Sequence, residues 1–323
     1  MTKTRHLMAA QGGGKRKKDL FEFRRFTIYQ EHCAMKVGTD GVLLAGLAAL
    51  DREGDRGLAD AVRSGVPFVV ELHQPPSTPP VRRILDIGCG SGVISIFEAF
   101  RFAQAEVDAV DIDETAVKQT SINISLLPED VRCRVSLSHT PIQSFQAPDS
   151  SYDLIVCASP YFKTREDDPF VSDMKENRRL ARHLHSLTLS DLIETVRRLL
   201  KPDGTFYTIL PTGEPAEEFE KLIYAAEGGL TCEEIVIVRD NPSSKALRKM
   251  YICSLPSQHT QIGLQPTEMW ELPVYAKSYK EEPITHRTYS DSYKHLLFSY
   301  CRHFPTGTIV IPPSCHSNEE EDK

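Results

Sequence analysis

The stretch ILDIGCGSG, residues 84–92, decides the fold. An apolar run carrying one aspartate, Asp86, ends in glycines at 88, 90 and 92, and Val93-Ile94-Ser95-Ile96-Phe97 opens a second apolar segment. That order predicts a strand, a tight turn and a helix. Glycine reaches backbone conformations closed to other residues, so such a turn can bring a ligand against main-chain N–H groups at the positive end of the helix dipole. Ordinary strand-to-helix turns use glycine too, so the surroundings have to discriminate.

Outward from this turn the pattern is regular. Strands are expected at residues 83–87, 106–112, 132–137, 153–157, 205–210 and 231–239, alternating with helices at 93–103, 114–126, 188–200 and 215–227. Leu189, Leu192, Ile193, Val196, Leu199 and Leu200 keep the three-to-four spacing of one buried helix face. Lys201-Pro202-Asp203-Gly204 then punctuates the end of that helix. Alternating β and α segments imply an α/β fold with a mainly parallel, doubly wound, Rossmann-like sheet, which binds ligands at the carboxyl ends of its strands. Residues 249–255 follow their predecessor by a short link and read as a last, antiparallel strand, the seventh. Tyr293, Leu296, Leu297, Tyr300 and Cys301 outline a terminal amphipathic helix capped by Ser290 or Asp291.

The flanks differ in character. Residues 1–20 are polar and basic, with Lys15-Arg16-Lys17-Lys18, and read as a flexible arm. Residues 21–304 are expected to form a single domain, interrupted by a surface insertion at about 51–80 that ends in Gln74-Pro75-Pro76-Ser77-Thr78-Pro79-Pro80. Residues 305–323 form an acidic tail. Ahead of the insertion, Thr39 or Asp40 can cap an apolar helix over 42–50, or belong to a small polar loop folded over a ligand at the glycine turn.

An apolar content of 40% with 26% charged residues is that of a soluble globular chain. No apolar run approaches the roughly 18 residues of a membrane span, and the N-terminus lacks a signal-peptide core. A cytoplasmic protein without a membrane partner is expected. The eight cysteines include no Cys-x-x-Cys pair and several sit in apolar runs, which points to reduced thiols rather than zinc or disulfides. The net charge of −7 hides an uneven distribution, with a basic N-terminus and Glu319-Glu320-Glu321-Asp322 near the other end.

The chemistry concentrates at three strand ends. Asp111, about twenty residues beyond the glycine turn, is placed to accept hydrogen bonds from a ribose diol. Turn and acid together point to a nucleoside cofactor without separating NAD from S-adenosyl-L-methionine. Two details favour the latter: the third glycine is not at the dinucleotide spacing, and Asp86 beside the turn suits a sulfonium cation better than a pyrophosphate. At the end of the fourth strand, Ala158-Ser159-Pro160-Tyr161-Phe162 makes a rigid turn that can offer a flat surface to a base, or aromatics that simply pack. Arg178, Arg179, Arg182 and His183 form a basic patch that reads either as an RNA-backbone contact or as a solvated loop face.

Glu31-His32-Cys33-Ala34-Met35-Lys36-Val37-Gly38-Thr39-Asp40-Gly41-Val42-Leu43-Leu44, the DIGCGSG turn and DLIV followed by Pro160-Tyr161-Phe162 resemble the bacterial tRNA adenine-N6 methyltransferases, class I enzymes that modify the adenosine beside the anticodon of a valine tRNA. Residues 177–183 and Tyr289-Ser290-Asp291-Ser292-Tyr293 resemble them too, and the likeness runs over about residues 21–304 outside the insertion. It implies a seven-stranded methyltransferase sheet, S-adenosyl-L-methionine as cofactor, tRNA as partner and no metal. It further implies a cofactor site at Lys36, Thr39, Asp86, Gly88, Gly90, Asp111 and Ile112, a catalytic turn at Ala158, Ser159, Pro160 and Tyr161, and substrate contacts from Tyr161, Phe162, Arg178, Arg179 and Arg182.

The family's turn is Asn-Pro-Pro-Tyr. Its Asn side chain and the next backbone carbonyl accept the hydrogens of the exocyclic amine, while the Tyr stacks on the flipped base. Here Ala158 stands for the Asn and Ser159 for the first proline, and removal of one such preorganised partner costs on the order of 10²–10³ in rate. Pro141 likewise stands where the family usually has an acid facing the cofactor adenine. The departures leave two further readings open: a nucleoside- or RNA-binding protein with impaired catalysis, and a protein glutamine N5-methyltransferase, whose chemistry uses the same turn.

Overall fold

The computed structural model describes residues 20–33, 36–48, 62–64, 80–158, 187–225, 229–256, 266, 268–278, 280–281 and 288–297. Apolar residues on both faces of successive strands require helices on both sides, and the chain supplies them. Strands β3 (Arg83–Ile87), β4 (Glu106–Asp111), β5 (Val135–His139), β6 (Tyr152–Cys157), β7 (Leu200–Pro211), β8 (Thr231–Arg239), β9 (Ala246–Ser254) and β10 (Glu268–Pro273) form one sheet in the order β10-β8-β9-β7-β6-β3-β4-β5. Only β9 runs antiparallel, paired with β7 on one side and β8 on the other. A separate two-stranded ribbon joins β1 (Leu20–Glu22) to β2 (Thr27–Tyr29).

Two cores result. On one face the helices α1 (Thr39–Leu47) and α2 (Val93–Arg101), with the ribbon and α6 (Asp291–Leu297), bury Phe23, Leu43, Leu44, Phe97 and Leu297 against Ile84, Leu154 and Val156. On the other, α4 (Leu189–Leu199) and α5 (Glu214–Tyr224) cover Leu85, Ile155, Phe206 and Tyr251. The helix α3 (Glu114–Ser125) follows β4, with Asp113 as its N-cap accepting from the Thr115 amide. Thr188 and Asp191 form a reciprocal capping box ahead of α4, which buries Leu192, Ile193, Val196 and Leu199 as the spacing predicts.

The expected mainly parallel sheet is present, with differences that have physical reasons. The antiparallel strand is not the last, since β10 follows and pairs parallel with β8. The charges and proline of Glu268-Met269-Trp270-Glu271-Leu272-Pro273 suit an edge strand, and they obscure it in the sequence. Lys201-Pro202-Asp203-Gly204 lies in a register shift at the start of β7, where the ladder passes from Tyr152↔Leu200 to Leu154↔Thr205. Neither Thr39 nor Asp40 caps α1: Gly38 does so without a side-chain bond, and Asp40 pairs with Arg248 at 2.8 Å. The expected cap at the far end is Ser290, whose Oγ accepts from the Tyr293 amide at 3.1 Å, while Tyr300 and Cys301 lie outside the described residues. Inside the expected surface insertion, Val62 is fully buried in the first core and Arg63 bonds Glu234 at 3.0 Å, so that turn is anchored.

Candidate cofactor site

Parallel pairing closes the sequence gap between the glycine turn and the fourth strand end. Ile87 is the register partner of both Val110 in β4 and Cys157 in β6. Gly88, Asp111 and Ala158 therefore stand at the carboxyl ends of three adjacent strands, Asp111 as the last residue of β4, at the edge where this architecture binds ligands. Gly88, Gly90 and Gly92 have φ of 74°, 58° and 78°, in the left-handed region that a side chain disfavours. Gly92 is also sterically committed, because a Cβ there would come within 2.8 Å of Thr120 Cγ2.

The turn is held from three directions. The amides of Gly88 and Cys89 donate to Val110 O at 2.8 and 3.1 Å. Gly90 N donates to Asp111 Oδ2 at 2.8 Å, and Asp111 Oδ1 accepts from Asp113 N at 2.8 Å. From α3, Thr120 Oγ1 donates to Gly90 O at 2.7 Å and Asn123 Nδ2 to Ser91 O at 2.8 Å. Burial pushes the Asp111 carboxyl above its ordinary range despite the three backbone amides that favour its charge. With three of its roughly four acceptor sites taken by amides, the Asp111 carboxylate keeps capacity for a ribose hydroxyl. Beside it, Ile112 is 45% exposed, an apolar surface at the mouth of the site.

Asp86 is placed differently from a pocket-wall contact. It is fully buried, and its Oδ2 accepts from Ser95 N at 3.0 Å and Ser95 Oγ at 2.5 Å, joining β3 to the first turn of α2. Its Oδ1 has no hydrogen-bond partner among the described residues. Burial pushes this carboxyl up to about 7, with the nearby Asp111 charge adding to the effect. A cation bound above the turn would favour its ionised form.

Between β2 and α1, residues 30–33 and 36–38 approach Asp111 through Cys33. Gln30 accepts the Val37 amide on Oε1 at 2.7 Å and the Lys36 ammonium on its carbonyl, which fixes Lys36. Cys33 is within electrostatic reach of Lys36, Asp111 and Asp113, and burial pushes its thiol up to about 11. Thr39 is exposed at the start of α1. Pro141 follows β5 and opens the 3-10 turn Ile142–Ser144. Ala158 is half-buried and packs on the first core, directly after Cys157, whose carbonyl accepts from Thr208 Oγ1 at 2.9 Å. Ser159, Pro160, Tyr161, Phe162, Arg178, Arg179 and Arg182 lie outside the described residues.

Comparison with known proteins finds methyltransferases. A methyltransferase-domain family matches residues 84–204, from the glycine turn to the start of β7. A protein of Tolumonas auensis named tRNA1(Val) (adenine(37)-N6)-methyltransferase is 37% identical over 213 residues, covering 65% of this chain and 71% of its own. The chain belongs to this methyltransferase family. A Yersinia pseudotuberculosis protein of the same name is 33% identical over 244 residues, covering 75% of this chain and 79% of its own. Among solved structures, a predicted O-methyltransferase from Agrobacterium tumefaciens aligns with 80% of this chain and 97% of its own at 17% identity and a TM-score of 0.48. The family is S-adenosyl-L-methionine-dependent, and the turn, the acid ending β4 and the orphan Asp86 oxygen fit that cofactor.

The residues of α3 escape a reading by motif. Gln119, Thr120 and Asn123 are buried polar side chains inside an ordinary helix. Their signal is polar residues on the inward face of a short amphipathic helix, beside apolar Ala116 and Ile124. Among the described residues no group of His, Cys, Asp or Glu could hold a metal ion, and no helix is long and apolar enough to cross a membrane. The described cysteines are free thiols.

Proposed function

We propose that this protein transfers a methyl group from S-adenosyl-L-methionine to N6 of an adenosine in tRNA, acting in the cytoplasm without a metal. The observation that carries the reading is the convergence of Gly90, Asp111 and Ala158 at one sheet edge in a chain whose relatives bear that activity in their names. Asp111 would accept the ribose hydroxyls, Ile112 would lie against the adenine, and Lys36 and Thr39 would close the site from the N-terminal side. Asp86 would act through its field beneath the turn rather than by contact. The bound cofactor supplies an activated methyl on a sulfonium centre.

The chain's own task is to make a poor amine nucleophilic. The N6 lone pair is delocalised into the purine, and acceptors for the amine hydrogens return density to nitrogen. In this chain those acceptors would be main-chain oxygens of the Ala158-Ser159 turn, with Tyr161 and Phe162 stacking on the extruded base. Arg178, Arg179 and Arg182 would hold the RNA backbone, and replacing all three should weaken tRNA binding and flatten its salt dependence.

The deciding experiment incubates the purified protein with labelled S-adenosyl-L-methionine and unmodified tRNA, followed by digestion and detection of N6-methyladenosine. Product is expected. Retained cofactor binding without product would favour the second reading, a binding protein with impaired catalysis, for which the apolar, core-packed Ala158 is the specific support. Ala158→Asn should raise turnover by about 10-fold or more if the turn is catalytic.

A further inference from the structure

Asn123 sits at the centre of a bonding pattern that the cofactor reading does not use. Its side chain is fully buried on α3. Oδ1 accepts from Tyr29 N at 2.9 Å, and Nδ2 donates to Tyr29 O at 2.8 Å and to Ser91 O at 2.8 Å. The carboxamide thus pairs with both backbone groups of Tyr29 as a neighbouring strand would, and its remaining hydrogen goes to the glycine turn. Tyr29 ends β2, and Ser91 lies 62 residues further along the chain, between two left-handed glycines.

The neighbouring residues of α3 extend the same link. Thr120 Oγ1 donates to Gly90 O at 2.7 Å, and Gln119 Oε1 accepts from His32 N at 3.0 Å. One inward face of α3 therefore holds two walls of the site: the turn at Gly90-Ser91, and the segment from Tyr29 to His32. That segment leads through Gln30, which accepts from Val37 N and the Lys36 ammonium, to the residues that approach Asp111. A buried carboxamide with three satisfied bonds is rigid, since breaking any of them leaves a buried polar group without a partner.

We propose that Asn123 is a positioning residue for cofactor binding, which fixes the glycine turn and the Lys36-bearing segment to each other without touching the cofactor. The proposal rests on the reading of this pocket as the S-adenosyl-L-methionine site. Asn123→Ala removes the one side chain bonded to both walls. Thr120→Val, nearly isosteric, removes the hydroxyl's bond to Gly90 and its contact with the Cys89 thiol, both in the glycine turn, and keeps the methyl that packs on Gly92.

The test titrates the full-length protein with S-adenosylhomocysteine by calorimetry. Asn123→Ala should bind about 10- to 100-fold more weakly and Thr120→Val about 3- to 10-fold more weakly. Lys36→Ala should weaken binding in the wild-type background and have little further effect in Asn123→Ala, because Lys36 is already misplaced there. Leu199→Ala, a core truncation in α4 on the opposite face of the sheet, controls for instability and should leave affinity within about twofold. Wild-type protein that does not bind overturns the cofactor reading and the tether with it. Wild-type binding with unchanged affinity in the tether variants overturns the tether alone. So do independent Lys36 and Asn123 effects, or an equal loss in Leu199→Ala. If Asn123→Ala fails to fold, Thr120→Val decides, and unchanged affinity in it overturns the proposal.

Discussion

The two ends of the parallel strands treat the same side chain in opposite ways. At the amino end, Asp153 accepts from the amides of Arg82 and Arg83 at 2.9 and 2.8 Å and from Lys201 Nζ at 2.6 Å. Burial works against its charge there, but these donors outweigh it and hold the carboxyl below its ordinary range. Asp108 nearby accepts from Arg83 at 2.7 Å and from the Tyr152 hydroxyl at 2.6 Å. At the carboxyl end, Asp86 and Asp111 are both shifted upward, burial being the largest cause, and no cation among the described residues bonds either of them. One end is satisfied within the chain and serves the fold. The other carries unneutralised acid, the condition expected where a cationic ligand completes the electrostatics.

Breaking the contrast at the ligand end should have the largest effect. Asp111→Ala removes the acceptor for Gly90 N and Asp113 N as well as the proposed ribose contact. Affinity for S-adenosylhomocysteine should fall about 100-fold or more, measured by calorimetry, with secondary structure retained by circular dichroism. A variant that binds normally would place the ligand elsewhere.

The complementary change at the amino end is Asp153→Ala, which strands two backbone amides and Lys201. Stability should fall by about 2–3 kcal/mol in denaturant unfolding, with affinity for S-adenosylhomocysteine unchanged. A depressed carboxyl contributes stability that is present above its unfolded value of 3.8 and is lost as pH falls through the folded value. Acid unfolding below that pH should accordingly be less steep in the variant.

Asp86 sharpens the comparison by a smaller margin. A carboxyl raised to about 7 contributes stability that is full below its unfolded value of 3.8 and is lost as pH rises through about 7. Wild-type thermal stability should therefore decline across that window, and Asp86→Asn should flatten the decline. Ionised Asp86 also favours a sulfonium over the neutral thioether. The preference for S-adenosyl-L-methionine over S-adenosylhomocysteine should rise with pH through about 7 and drop by about 3- to 10-fold in Asp86→Asn. An unchanged ratio would leave Asp86 with its bonds to Ser95 and no part in recognition.

How much of this was legible in the sequence depended on whether a feature is local. The glycine turn and the apolar face of α4 are written within a few residues, and both took shape as read; the capping box at Thr188 and Asp191 is equally local but is not among the features read from the sequence. The ribbon of three-residue strands is too short for a period to register. Asp86 and Asp153 both precede apolar residues in strands; distant donors, Lys201 among them, send Asp153 down, while burial sends Asp86 up against its bonds to Ser95. Asn123 is an ordinary helix residue until Tyr29 and Ser91, distant in sequence, close around it. The Ala158 turn illustrates the reverse: its departure from the family pattern is plain in the sequence, while its chemical consequence depends on oxygens beyond the described residues.

The placement of β9 between β7 and β8 bears on the order of assembly. During synthesis β7 is made well before the strand that covers it, and β8 has no place on the sheet until β9 has turned back beside it. The β8–β9 hairpin, joined by residues 240–245, is thus the natural unit to add, closing the open edge of β7 in one step. A ribosome stalled before Ala246 would leave that long apolar edge uncovered, a template for pairing with another chain. The hazard of this fold lies less in its active end than in the interval between its seventh and ninth strands.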